Sequence, residues 1–119
     1  MVRLDHMTLP VGDWRATRDW WRDNLGFEVE FEIADASTVA MKDDADLTVF
    51  FSKGKPLSGD FALTVRVDDV KAKHKELAAK GIPFVHPPQE LFWGFGAELR
   101  DPNGYLLRLW DEASMKAGG

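Results

Sequence analysis

The sequence contains no cysteine, and that one absence removes disulfide staples, thiolate metal sites and a cysteine nucleophile together. It also lacks any excess of positive charge, with 15 Lys and Arg against 20 Asp and Glu and a net charge of −5. Phosphate binding needs a basic face, so nucleic acid is not expected as a main partner. An acidic surface instead tolerates or prefers cationic ligands. No apolar run approaches the roughly 20 residues that span a bilayer. The opening MVRLDHMTLPV has neither the length nor the composition of a signal peptide. The expectation is a cytoplasmic protein with no membrane partner. What remains is 119 residues, 45% of them hydrophobic, with both charge signs represented. That suffices for one domain (1–119) with a core that needs no staples.

The chain reads as two copies of one pattern. Placing each residue over the one 56 positions later aligns HMTLPVGDWRATRDWWRDNLGF with ALTVRVDDVKAKHKELAAKGIPF, once a residue is dropped near the helix end. Each copy opens with an alternating strand, 4–11 and 61–67. Met7, Leu9 and Val11 share one face of the first, and Leu63, Val65 and Val67 one face of the second. The opposite faces carry His6 and Thr8, or Ala62 and Thr64. A helix follows in each copy, begun by Asp13 or Asp69 as N-cap and ended by Gly26 or Gly81. The predicted apolar stripes are Trp14, Thr17, Trp21 and Leu25 in the first helix, and Val70, His74, Leu77 and Ala78 in the second. Three strand-like runs complete each copy: FEVEFEIA, STVAM and LTVFFS in one, PFVH, GFGAEL and YLLRLW in the other. The result is an α+β fold of two βαβββ modules, about 1–53 and 60–113, each with one sheet face covered by its helix.

The segment DPNGY suits a three-residue hairpin loop, with Gly104 in the left-handed position. Counting back from Asp101 and Tyr105 puts Glu98 opposite Arg108, as a cross-strand ion pair. Parity then assigns Glu98, Arg108 and Trp110 to the open face, and Leu99, Leu107 and Leu109 to the helix face. A cation embedded in the apolar run YLLRLW therefore points away from the core.

The paired modules, LDHMTLPV, NLGF and above all WGFGAELRDPNGYLLRLW resemble the glyoxalase/bleomycin resistance/dioxygenase superfamily, also called vicinal oxygen chelate, over nearly the whole chain. The resemblance implies two curved mixed sheets forming a cleft. In metal-using members, histidine, histidine and glutamate on the first strand of each module and on the last strand hold a divalent ion. Carried over by position, His6 matches the first ligand, Ala62 falls at the second and Arg108 at the third. A methyl group cannot coordinate, and a guanidinium has no free lone pair. The resemblance therefore implies a member with no metal and no other cofactor, similar to bleomycin resistance proteins, which are dimers that sequester a ligand in aromatic grooves. The alternative is a lyase, isomerase or dioxygenase with an atypical metal site built on His6 and Glu98.

The expected small-molecule site comprises His6, Thr8, Phe50, Ser52, Ala62, Thr64, His86, Trp93, Phe95, Glu98, Arg108 and Trp110, with no catalytic residue assigned. His86 is given the same parity as Phe84, although Pro87 and Pro88 disturb the count. Trp93, in ELFWGFG, is the stacking candidate because adjacent glycines allow close approach. His74 and the Trp20 and Trp21 pair read as packing residues. No serine lies in a nucleophile turn, and GFG lacks the glycine and helix of a phosphate loop. A four-stranded sheet is too narrow to enclose a ligand alone, so a homodimer with a cationic or aromatic, antibiotic-like ligand is expected.

Overall fold

The computed structural model describes residues 1–114. The chain divides into two compact units, Met1–Gly59 with Asp101–Gly104, and Asp60–Arg100 with the segment from Tyr105 onward.

Unit 1 runs β1 (His6–Val11), α1 (Trp14–Leu25), β2 (Glu28–Ile33), a 3-10 turn (Ala34–Ala36), β3 (Thr38–Lys42) and β4 (Thr48–Lys53). Its sheet has the order β1-β4-β3-β2, with β1 parallel to β4 and the remaining pairs antiparallel. Helix α1 begins where Asp13 leaves the helical region and its carboxylate accepts hydrogen bonds from the Arg15 and Ala16 amides, at 3.1 and 3.0 Å. It stops at Gly26, whose φ of 73° is open to glycine at little cost. Trp14, Thr17 and Trp21 are buried as the stripe predicts, but the fourth buried position is Asn24, with Leu25 only half-buried. The helix packs on Leu9, Val11, Val39, Met41, Val49 and Phe51, all buried. Each such large side chain contributes about 1.5–3 kcal/mol when fully buried.

The hairpin loop belongs to this unit through one buried bond. Trp21 Nε1 donates to Asp101 Oδ2 at 3.0 Å, while Asn103 donates to Thr17 and accepts from the Gly12 amide. Gly104 takes the expected left-handed conformation, with φ 88°.

Unit 2 repeats the plan as β5 (Leu63–Arg66), α2 (Val70–Ala79), β6 (Phe84–Leu91), β7 (Gly94–Arg100) and β8 (Leu106–Trp110), in the order β5-β8-β7-β6. The two mixed sheets with their helices make this an α+β protein. Val70, Leu77, Ala97, Leu99, Tyr105, Leu107 and Leu109 form the core. Ala78, assigned to the stripe of α2, is exposed instead; His74 is half-buried with its ring 4.6 Å from that of Phe84. Asp69 caps α2 through the Ala72 amide, and a second carboxylate joins it: Asp111, 3% exposed, accepts from the Val70 amide at 2.7 Å. Burial pushes the Asp111 carboxyl up, but that bond and those from Ser114 outweigh it and hold it below its ordinary value.

Strand β6 is longer than PFVH and continues through Pro87 and Pro88. It can do so because it is an edge strand and its pairing with β7 skips the prolines, resuming at Gln89. A second irregularity at Val85 separates Phe84, opposite Leu99, from His86, opposite Glu98. Phe84 and His86 therefore do not share a face, and the common parity expected for them is corrected.

Candidate functional site on the open face of unit 2

Strand register builds one polar row across the second sheet. Thr64 pairs with Arg108, Arg108 with Glu98, and Glu98 with His86. Within it, Arg108 Nε donates to Glu98 Oε2 at 3.0 Å, and His86 Nε2 meets Glu98 Oε1 at 2.8 Å. The other ring nitrogen, Nδ1, lies 2.8 Å from the Pro87 carbonyl oxygen. The Glu98 and His86 side chains are 13% and 14% exposed, which lifts this chain above the solvated surface pair worth at most about 1 kcal/mol. Burial pushes the Glu98 carboxyl up, but the hydrogen bonds from Arg108 and His86 prevail and hold it below the ordinary glutamate value.

Aromatic rings frame the cation. The Arg108 guanidinium lies 5.2 Å from the ring centre of Trp93 and 5.5 Å from that of Phe92. Trp93 in turn rests on Gly96, where no side chain intervenes. Phe92, 92% exposed, is a member of the constellation that the parity argument did not find. Its position beside Trp93 in the turn between β6 and β7 was the available signal. Further along β8, Trp110 pairs with Arg66 in the sheet register, and the Arg66 guanidinium lies 5.9 Å from its ring and is bound to Glu112.

Phe95 is not part of this face. It precedes Ala97 and Leu99 with the same parity, and its ring lies 5.6 Å from the ammonium of Lys71 on α2. The assignment of Phe95 to the open face is corrected: counting by two from Leu99 would have placed it with the helix. Ala62 lies just before β5 and is half-buried, and Thr64 is exposed.

The equivalent row in unit 1 has a different chemistry. Thr8 pairs with Phe50, Phe50 with Ala40, and Ala40 with Phe31. Phe50 thus holds the position in its sheet that Arg108 holds in the other. The Phe31 and Phe50 rings meet edge to face at 5.6 Å, and the His6 ring lies 4.7 Å from Phe50. His6 Nδ1 is 2.9 Å from Oδ2 of the exposed Asp5, and Ser52 shares a hydrogen bond with Thr38.

The donor set does not fit the superfamily's divalent ion. The Ala62 and Arg108 side chains offer no lone pair, and Glu98 is engaged in an ion pair with Arg108 and a bond with His86. Among the described residues no three His, Asp or Glu side chains gather as a ligand cluster. No helix among them is long and apolar enough to cross a membrane.

The model of the Glyoxalase/Bleomycin resistance protein/Dioxygenase superfamily matches residues 3–109, and the chain belongs to that superfamily. Solved structures share the fold. A superfamily member from Sphaerobacter thermophilus is 22% identical with a TM-score of 0.80, over 94% of this chain and 98% of that one. A lactoylglutathione lyase from Agrobacterium tumefaciens is 16% identical with a TM-score of 0.77, over 94% and 95%. An antibiotic binding protein from Streptomyces sp. CB03234 is 22% identical with a TM-score of 0.76, over 93% and 96%. Among curated proteins no relative matches the sequence.

Proposed function

We propose that the protein binds and sequesters a small aromatic molecule, using the open face of unit 2, without a metal ion. The observation that carries this reading is the row itself: Arg108 is tied to Glu98 and His86 and framed by Trp93 and Phe92. Such a surface offers stacking and directed hydrogen bonds but no Lewis acid. The fold shared with an antibiotic binding protein supports the same reading. A homodimer in the cytoplasm is part of the proposal, because one four-stranded face covers only one side of a ligand.

The test is a panel of flat aromatic compounds titrated against tryptophan fluorescence and melting temperature. Binding is expected to quench emission and raise the Tm, and Trp93→Ala should weaken it by roughly three- to tenfold, the equivalent of one stacking contact. A panel that moves neither signal, or elemental analysis finding about one divalent metal per chain, would remove the proposal in favour of a metal-dependent enzyme.

A further inference from the structure

The proposed ligand site carries a charge preference opposite to that of the whole chain. At a net −5 the protein as a whole attracts cations. Charges further away than about 8–10 Å are largely screened at ordinary ionic strength, so a ligand in contact with the sheet responds to the groups it touches. The most exposed of the three bonded side chains is Arg108, at 27% against 13% for Glu98 and 14% for His86.

The hydrogen bonds of the row fix which edge of the guanidinium is available. Glu98 meets Arg108 through a single bond, Nε to Oε2, while its Oε1 meets His86 Nε2. The terminal pair, Nη1 and Nη2, is left as a fork with no protein acceptor among the described residues. Phe92 and Trp93 lie against the same guanidinium, so the fork opens beside two π surfaces. Two parallel N–H groups next to aromatic rings suit a two-oxygen anion borne by a flat aromatic body, and a carboxylate is the planar case.

We infer that the open face of unit 2 selects aromatic carboxylates, with the Arg108 Nη1 and Nη2 groups donating to the carboxylate and the ring lying against Trp93 and Phe92. His86 acts here as a positioning residue. Its bond to Oε1 helps hold the carboxylate where Oε2 meets Arg108 Nε, the arrangement that leaves the fork without a protein acceptor. The inference rests on the binding function proposed above.

Three probes of one shape separate the two claims: 2-naphthoate, the neutral 2-naphthamide and the cationic 2-naphthylmethylammonium, each titrated by calorimetry at pH 7. Naphthoate should bind about tenfold or more tighter than the amide, as a charge-assisted bidentate pair requires, and the ammonium should bind weakest. Arg108→Gln should bring naphthoate down to the amide's affinity while moving the amide less than about threefold. Arg108→Lys, which keeps the charge but loses the fork, should retain only part of the preference. His86→Phe should also reduce the anion preference, because Glu98 then loses a bond that helps hold it, and Arg108 with it, in place. Equal affinity of the wild-type protein for all three probes, or tightest binding of the ammonium, overturns the inference and leaves the binding function standing. Silence from every probe and from the wider aromatic panel overturns both. The wild-type comparison decides the matter even where a variant fails to fold.

Discussion

Trp93 covers Gly96 so closely that a β-carbon built on the glycine would stand 2.5 Å from the indole ring, and would also collide with the Leu109 carbonyl oxygen. Gly96 is therefore the seat of the tryptophan. Gly96→Ala should lift the indole off the sheet and cost about 1–3 kcal/mol, the usual range for forcing a methyl into a filled space. Chemical denaturation checks the loss, and a red-shifted tryptophan emission checks the displacement. Unchanged emission would mean that the ring does not rest there, since the Leu109 carbonyl contact lowers stability on its own.

Acid should weaken unit 2 through Glu98. Its folded-state pKa lies below the ordinary value because the bonds from Arg108 and His86 outweigh burial. A depressed carboxylate stabilises fully above its unfolded value, near 4.3, and that stabilisation disappears as pH falls through the lower folded value. Stability measured from pH 6 to pH 3 should thus fall more steeply for the wild type than for Glu98→Gln, which lacks the titrating group. Parallel curves would contradict the bonded row.

Asp111 should prove to be a helix cap supplied from outside the helix. Its side chain accepts from the Val70 amide at the first residue of α2 and from the Ser114 amide. Asp111→Ala should cost about 1–2 kcal/mol, at the upper end for a lost cap because the carboxylate is buried. Hydrogen exchange should show the loss of protection concentrated in the first turn of α2.

Asp101 should matter more than a hairpin residue ordinarily does. It accepts from the buried Trp21 indole nitrogen, so Asp101→Ala leaves a donor without its partner and should cost about 1–3 kcal/mol. Trp21→Phe removes that donor while keeping an aromatic ring. The double variant should accordingly be less destabilised than the sum of the two single ones. Strict additivity by urea melts would argue against the bond.

The local chemistry of turns and caps was legible wherever one residue type had a single physical use. Asp13, Gly26, Asp69 and the DPNGY loop did what their side chains and permitted dihedrals require. From that loop alone the pairing of Glu98 with Arg108 followed by counting. Counting failed where an edge strand gained residues. The irregularities around Val85 and the two prolines break the period of two, so counting puts Phe84 and His86 on one face where the strand turns them to opposite faces. Phe95 is a different case, since its parity with Leu99 is readable in the sequence and puts it on the helix face whatever its aromatic character suggests. The Asp111 cap and the bond between Trp21 and Asp101 join residues 41 and 80 positions apart, and no local pattern in the sequence announces such a partnership.

The matching rows across the two sheets, Thr8, Phe50, Ala40 and Phe31 in one and Thr64, Arg108, Glu98 and His86 in the other, bear on why two copies are carried on one chain. A half-length polypeptide that paired with itself would be obliged to display the same row twice, greasy on both sides or salted on both sides. Joining the copies covalently releases each from that obligation. One sheet could then become a mainly apolar surface while its twin acquired direction and sign, and every later substitution could be tried on one of them without being imposed on the other.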